Sequence, residues 1–267
     1  MRVHSFPAFL GVAALALLAA FFATTAASAR AAQGQAFTCT GGSIPAGSYS
    51  SLTISGFCTL DAGSVNAQRV NVTDGGVFVA AFGGSDLTVG QNLRVSANGA
   101  LVLGCEPEEF TCFNDPDQSG GTLLTHDVIG GNLIADGALA VLVHADQILG
   151  NAIVSGGGGG VNCDSQDALM GSPAYLTIED STIGGNAVVT NFHSCWLGFI
   201  RNDVSGNVNF HGNVTFDPDG NEIVTNTISG NLNCTGNSPA PQVGDSEGEP
   251  NVVGRRANGQ CAGLVAP

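Results

Sequence analysis

The stretch between Cys105 and Gly121, CEPEEFTCFNDPDQSGG, concentrates carboxylate side chains in a short span. Within it, DPDQSG places Asp115, Asp117 and Ser119 at alternate positions before a glycine, as in the first half of a calcium-binding loop. Hard divalent cations prefer oxygen ligands, so these three residues are the candidate metal ligands, with calcium as the ion. The match stops at the twelfth position, where His126 replaces the usual glutamate. The alternative, an Asp-Pro turn with solvated carboxylates, needs no ion and is the stronger interpretation.

A second acidic stretch, FDPDGNE, has the same two interpretations. Its oxygen-bearing side chains are Asp217, Asp219, Asn221 and Glu222. We expect another Asp-Pro turn here, with calcium binding as the alternative.

Asp127 and Asp146 could form a catalytic carboxylate pair. Each stands five residues before the asparagine of a recurring motif, [IV]-x-G-N-[LVA]. If the two lie on adjacent turns of a repeat, their carboxylates are about 5 Å apart, and like charges that close favour a raised pKa or a bridging cation. Later copies carry short polar residues at this position, namely Ser181, Asn202 and Asn226. That substitution pattern favours a corner position whose side chain bonds the turn backbone.

The sequence lacks the motifs of phosphate-binding, redox and nucleophilic sites. A phosphate loop needs a following helix and usually a lysine, but the chain contains no lysine and each G-N motif leads into another strand pattern. The run SGGGGGVNC lacks nucleotide-loop spacing, and no C-x-x-C or G-x-S-x-G motif occurs. The histidines beyond the N-terminal leader are scattered, and we expect them to be surface or partly packed residues: His126, His144, His193 and His211. We therefore predict no catalytic residues and no cofactor-binding residues.

The charge balance excludes some partners. The chain has 7 Lys+Arg against 22 Asp+Glu, a formal net charge of −15. Because phosphate binding needs clustered Lys or Arg, we expect no nucleic acid and no anionic lipid surface as partner. Polysaccharide or cell-envelope components are the expected partners, and the oligomeric state is left open.

The N-terminus has the layout of a secretory signal peptide over residues 1–31. A positive start at Arg2 is followed by an apolar run from about Phe9 to Ala23 and then by small residues suited to cleavage. The alternative is an uncleaved membrane anchor, but the apolar run is short for a span. We predict a secreted, extracellular protein with no membrane span after cleavage.

Eight cysteines lie beyond the leader, and an even number in an exported chain indicates disulfides. Sequence alone cannot choose among about 105 connectivities. Because the cysteines fall in neighbouring couples, the predicted pairs are Cys39–Cys58, Cys105–Cys112, Cys163–Cys195 and Cys234–Cys261.

The G-N motif recurs with its asparagines at Asn92, Asn132, Asn151, Asn186, Asn207 and Asn231. The intervals indicate a unit of about 20 residues, with the long gaps holding two turns or insertions. Apolar residues occupy the positions three before, one after and three after each asparagine, which predicts short strands with one face inward. Glycine and asparagine tolerate positive φ, so G-N predicts a sharp bend, and stacked asparagines predict an amide ladder.

Stacked units of this kind resemble the right-handed parallel β-helix of pectate-lyase-like architecture, over roughly Leu52 to Asn237. Bactofilins share the G-N pattern but are cytoplasmic and poor in cysteine. The chain is more similar to secreted, actinobacterial-type β-helix repeat proteins with segments like CTGGSIPAGSY and GNLNCTGNSPAPQ, a resemblance that implies no activity. Pectate lyases use calcium-binding aspartates and a proton-removing arginine, and no such motif surrounds Arg69, Arg94 or Arg201.

The predicted fold class is therefore all-β, a single-stranded right-handed parallel β-helix with disulfide-stapled caps. The expected organisation is a signal peptide (1–31), an N-terminal cap (32–60), β-helix repeats (61–237) and a C-terminal cap or tail (238–267). The expected function is a secreted, non-catalytic structural, cell-surface or glycan-binding role. The alternatives are a polysaccharide lyase or glycoside hydrolase of this fold and a calcium-dependent adhesin-like protein.

Overall fold

The computed structural model describes residues 34–81, 85–104, 127–161, 163, 173–243 and 248–266. This part of the chain contains 28 strands and no helix, and every strand pairing is parallel. The strands stack turn upon turn, so the predicted parallel β-helix is confirmed. The described residues form one compact unit.

Each turn has three faces, and two of them belong to an 18-stranded sheet. The first row of this sheet contains β5 (Gly63–Ala67), β8 (Ser85–Val89), β11 (Val128–Ile129), β14 (Gln147–Ile148), β17 (Thr182–Ile183), β21 (Asp203–Val204), β25 (Thr227–Ile228) and β27 (Val252–Val253). The second row contains β1 (Gln35–Cys39), β6 (Val70–Val72), β9 (Leu93–Val95), β12 (Leu133–Asp136), β15 (Ala152–Ser155), β18 (Ala187–Thr190), β22 (Val208–His211), β26 (Leu232–Thr235) and β28 (Ala257–Gly259). The long strand β3 (Gly47–Ile54) runs through both rows.

The third face is an eight-stranded sheet. It contains β2 (Gly42–Ser43), β4 (Phe57–Thr59), β7 (Val77–Ala80), β10 (Ala100–Gly104), β13 (Ala140–His144), β16 (Leu176–Glu179), β20 (Leu197–Ile200) and β24 (Asn221–Val224). A short pair, β19 (His193–Ser194) and β23 (Val214–Thr215), lies between the second and third faces.

The inward columns predicted around each G-N motif form the core. All 18 of these side chains, from Val89 to Cys234, are at most 2% exposed. Phe199 and Phe210 pack edge to face across the interior, with ring centroids 5.4 Å apart. Alternation of buried and outward residues along the second row is what fixes its register, since a slip of one residue would turn the apolar set outward.

The third face differs because its middle strands are buried on both sides. Val79, Ala100, Val102, Ala140 and Leu142 point away from the main core and are also buried, in a second apolar cluster. Strands buried on both faces need no polar positions, and in β13 all five side chains of AVLVH are buried. In LIAD and AIVS of the second row, buried side chains alternate with outward ones.

The repeat asparagines form the predicted amide ladder. From Asn132 to Asn231, each side-chain amide donates to the Oδ1 of the asparagine in the preceding turn, at 2.9–3.2 Å, and Asn92 is the first acceptor. The ladder also shows that Asn92 and Asn132 lie on adjacent turns, although 40 residues separate them. Insertions therefore fill the long gaps, and the possibility of two turns per gap is wrong.

The prediction that the G-N pair occurs because its residues adopt a positive φ is wrong. None of the five glycines that precede a ladder asparagine, nor the asparagines themselves, has a positive φ. Glycine is required because a Cβ would collide with the turn below, as at Gly206, where it would lie 2.4 Å from the Gly185 carbonyl oxygen. Left-handed residues occur instead at the other two corners, for example at Gly137 and Ala145.

Gly206→Ala is therefore expected to destabilise the protein by at least about 1 to 3 kcal/mol, because two adjacent turns must separate to admit the methyl group. Urea unfolding followed by far-ultraviolet circular dichroism measures the loss. Gly263→Ala is the matched control, since no atom lies within 4 Å of the added Cβ and its φ is not positive. Equal midpoints for the two variants would contradict the steric explanation.

Three of the predicted disulfides are confirmed, namely Cys39–Cys58, Cys163–Cys195 and Cys234–Cys261. The first and third join residues at the two ends of the strand stack. The predicted Cys105–Cys112 pair lies outside the described residues.

Candidate functional site

A polar corner runs from the middle of the solenoid to its C-terminal end, where the third face turns into the first row. A single left-handed residue makes this turn after β13, β16, β20 and β24. The next residue in every turn is short, polar and buried. These residues form the corner column, which consists of Asp127, Asp146, Ser181, Asn202, Asn226 and Asn251.

The corner column is a second hydrogen-bond ladder. The backbone N–H of each member from Asp127 to Asn226 donates to the side-chain oxygen of the member in the following turn, at 2.9–3.1 Å. The N–H of Leu87 continues the series by donating to Asp127 Oδ1 at 2.7 Å. The column therefore satisfies buried backbone groups that the tight corner leaves without a strand partner.

Asp127 and Asp146 do lie on adjacent turns, but neither faces solvent. Asp127 is fully buried and Asp146 is 2% exposed. Asp127 accepts from Leu87 through Oδ1 and from the Gly104 N–H through Oδ2, at 2.7 and 3.3 Å. Burial raises the pKa of Asp127 to about 7, against the opposing effect of these two hydrogen bonds. Both carboxylates accept backbone N–H groups inside the corner and are not placed to touch a dissolved substrate.

An ionic cluster lies beside the corner column on the third face. It consists of His144, Glu179, Asp180 and Arg201. His144 Nε2 lies 2.8 Å from Asp180 Oδ2, and Arg201 bonds both Asp180 oxygens at 2.8 Å. Arg201 Nη2 also reaches Glu179 Oε2 at 3.5 Å. Burial alone would raise the pKa of Asp180, but the hydrogen bonds and charges of His144 and Arg201 hold it below its usual value.

Three members of the ionic cluster have the spacing of a metal site. One ligand atom each from His144, Glu179 and Asp180 lies within 4.8 Å of the others. The guanidinium of Arg201, however, is bonded to both carboxylates and supplies the positive charge that a cation would bring. We therefore describe the cluster as an ion-pair network. Its His–Asp pair resembles that of a general base, but His144 is only 2% exposed.

Sequence reasoning did not find this cluster. His144 was expected to be a surface or partly packed residue, and this expectation is wrong because the end of β13 is buried on both faces. His193 and His211 are exposed, as expected. The available signal was the apolar run that ends in His144, which marks a strand buried on both sides. The partners of His144 come from the next two turns, 35 to 57 residues further along the chain. A pattern of neighbouring residues in the sequence therefore does not predict them.

The predicted calcium ligands Asp115, Asp117 and Ser119 lie outside the described residues, so calcium binding there stays a prediction. In the second acidic stretch the Asp-Pro turn is confirmed, because the Asp219 N–H donates to Asp217 Oδ1 at 3.0 Å. Asn221 and Glu222 are buried on β24, whereas Asp219 is exposed. The four side chains therefore do not share one exposed loop.

A shallow cavity of about 360 Å³ opens on the outer face of the second row, between β9 and β12. Its lining includes Arg94, Ser96, Ile134 and Asp136. This surface offers one cation, one carboxylate, a hydroxyl and an apolar side chain to a ligand in solution.

Among the residues that the structure describes, no helix has the length and hydropathy needed to cross a membrane. Comparison of the chain with protein-family models, with curated proteins and with solved structures gave no match.

Proposed function

We propose that the protein is a secreted, non-catalytic β-helix with a structural, cell-surface or glycan-binding role. One observation carries the proposal: the buried ionisable side chains that resemble catalytic groups are all bonded within the fold. Asp127 accepts two backbone N–H groups, and His144 and Arg201 both pair with Asp180. Internal bonding of this kind supports a rigid scaffold, since a reacting group has to reach its substrate.

Export is part of the proposal. Its support is the leader over residues 1–31 and the three disulfides, because disulfides persist in oxidising, extracellular environments. Placement among secreted actinobacterial-type β-helix proteins of pectate-lyase-like architecture rests on the cap segments and the repeat. The acidic composition fits an extracellular partner without phosphate, such as a neutral polysaccharide or a cell-envelope component.

The shallow cavity between β9 and β12 is the surface that we propose for glycan binding. Arg94 is exposed and can donate several hydrogen bonds to hydroxyl groups, while Ile134 offers an apolar contact to a sugar ring. Asp136 on the opposite side accepts hydrogen bonds from hydroxyls. This set of groups matches an uncharged sugar better than a strongly charged ligand.

The test exposes the purified protein to a panel of neutral and acidic polysaccharides and to cell-envelope material. We expect no new reducing ends and no unsaturated products, together with retention on at least one polymer. Arg94→Ala should weaken retention about tenfold, the loss of one well-placed charged hydrogen-bond donor. Arg69→Ala is the matched control, because Arg69 is exposed and lies outside the cavity.

Two results would contradict the proposal. Rapid cleavage of a polysaccharide that is abolished by Asp180→Asn or His144→Gln would assign the ionic cluster to catalysis. Retention that is equal in the Arg94 and Arg69 variants would remove the cavity as the binding surface.

A further inference from the structure

The corner column contains a regular second set of hydrogen bonds made by its asparagines. The Nδ2 of Asn202 donates to the Ile178 carbonyl, that of Asn226 to the Phe199 carbonyl and that of Asn251 to the Ile223 carbonyl, each at 2.7 Å. In every case the acceptor lies in the preceding turn. The three acceptors occupy one register position, because Ile178 pairs with Phe199 and Phe199 with Ile223.

Asp146 occupies the same position as these asparagines but carries a carboxyl group. Its Oδ1 accepts the Asp127 N–H at 3.1 Å, as each asparagine Oδ1 accepts from its own preceding turn. Its Oδ2 therefore stands where the asparagines have a donating Nδ2. Oδ2 is buried and has no hydrogen-bond partner among the described residues. The carbonyl at the equivalent register position is that of Leu103, which pairs with Val143 and through it with Ile178.

The two aspartates of the column differ in what their neighbours offer. Both oxygens of Asp127 face backbone N–H donors, an arrangement that suits an anion. Asp146 accepts the Asp127 N–H through Oδ1, and the His144 N–H also acts on this carboxyl group. Its Oδ2 has no hydrogen-bond partner in the described part of the chain and stands where, in three other turns, an asparagine donates to a carbonyl. A carboxyl oxygen can hydrogen-bond a carbonyl only if it carries a proton.

The surroundings of Asp146 have opposing effects on its pKa. Burial, and then the negative charge of Asp127, raise the pKa of Asp146 well above its usual value. The N–H of Asp127 and the charge and N–H of His144 lower it by less. The negative charge of Asp86, on β8, raises the pKa of Asp127. His144 also pairs with Asp180, which in turn pairs with Arg201.

We propose that Asp146 is a neutral carboxylic acid in the folded protein, with its proton on Oδ2 donated to the Leu103 carbonyl. Asp127, in the preceding turn, is the anionic partner once the pH rises above about 7. The corner thus has one acid–anion pair at the end of a column that otherwise uses serine and asparagine. The pair makes the middle of the solenoid sensitive to pH, and this holds whether or not the protein binds glycans.

The sign of the effect follows from the raised pKa values. The folded state keeps protons that the unfolded chain, with an aspartate pKa of about 3.9, has already released. The stability contributed by these protons is complete below about pH 4 and is lost as the pH rises through about 7 and beyond. Asp180 has the opposite dependence, since its lowered pKa contributes stability that disappears in acid.

The experiment compares the full chain with Asp146→Asn, Asp127→Asn and the exposed control Asp203→Asn. At pH 8 the infrared spectrum of the folded wild type should contain the carbonyl band of a protonated carboxylic acid. We expect the band to persist in D127N and D203N and to be absent in D146N. At pH 9 the equilibrium constant for unfolding should be at least about tenfold smaller for D146N than for the wild type. At pH 4 the unfolding constants of the two proteins should be nearly equal.

Several outcomes would overturn the proposal. A band that survives in D146N and disappears in D127N would place the proton on Asp127, and no band in the wild type would make both groups anions. Failure of D146N to fold would also contradict it, because a protonated Asp146 has the same shape and donor as asparagine. Asp146→Ser provides the second variant, since serine occupies the column at Ser181. It should lose the infrared band and fold.

Discussion

Replacing Asn226 by alanine is expected to lower the free energy of unfolding by about 3 to 5 kcal/mol, since buried polar groups left unpaired cost about 1 to 3 kcal/mol each. Asn226 is fully buried in the corner column. Its Oδ1 accepts from both the backbone N–H and the Nδ2 of Asn202, and its Nδ2 donates to the Phe199 carbonyl and to Asn251 Oδ1. Alanine removes all four bonds and leaves the Asn202 N–H and the Phe199 carbonyl buried without these partners.

Urea denaturation of the purified variant at neutral pH measures the loss. Asn258→Ala is the matched control, because Asn258 is exposed and makes a single amide bond to Asn233 on the outer face. The control should change stability by less than about 0.5 kcal/mol. A loss below about 1 kcal/mol for Asn226→Ala would show that the corner column contributes little to stability.

Removing the Cys234–Cys261 disulfide by a double change to alanine is expected to cost about 3.5 kcal/mol, from the loop-closure entropy of the unfolded chain. The bridge closes a separation of 27 residues, and both cysteines are fully buried. It ties the last segment of the chain over β26, where β28 pairs in parallel. Without it the terminal strands should fray first, since an end turn has a neighbour on one side only.

Scanning calorimetry of the double variant should show a melting temperature lower by about 10 °C, given about 2 to 4 °C per kcal/mol for a domain of this size. Limited proteolysis should cut the variant first beyond β26. Ala262→Ser, an exposed change in the same final segment, is the control and should leave the melting temperature unaltered. A double variant that melts within about 2 °C of the wild type would show that strand pairing alone holds this end.

Most of the fold could be predicted from the repeat. Residues three before, one after and three after each ladder asparagine are alternately spaced apolar side chains, and a strand has only two faces. The spacing of residues along the chain therefore predicted the inward-facing core columns, the amide ladder and three of the disulfides. The conformational role of G-N did not, because a steric clash with the neighbouring turn, as at Gly206, is a long-range contact that the local sequence does not display.

The candidate site was predicted only in part. Asp127 and Asp146 were aligned correctly on adjacent turns, and the serine and asparagines of the same column indicated a structural corner. The ionic cluster was missed, because His144, Asp180 and Arg201 come from three successive turns and become neighbours only through register.

By itself, the sequence determined the strand periodicity, the core columns and the acidic character of the chain, since each of these is a property of residues close together along it. Only the tertiary structure decided that the long intervals hold insertions, that the middle strands of the third face are buried on both sides, and that Arg201 neutralises the carboxylates beside His144. The physical reason is that stacking turns converts a separation of 20 to 40 residues into a contact between neighbouring strands about 4.8 Å apart. Which polar groups then meet, and which of them keeps a proton, depends on that register and on the exclusion of water from the corner.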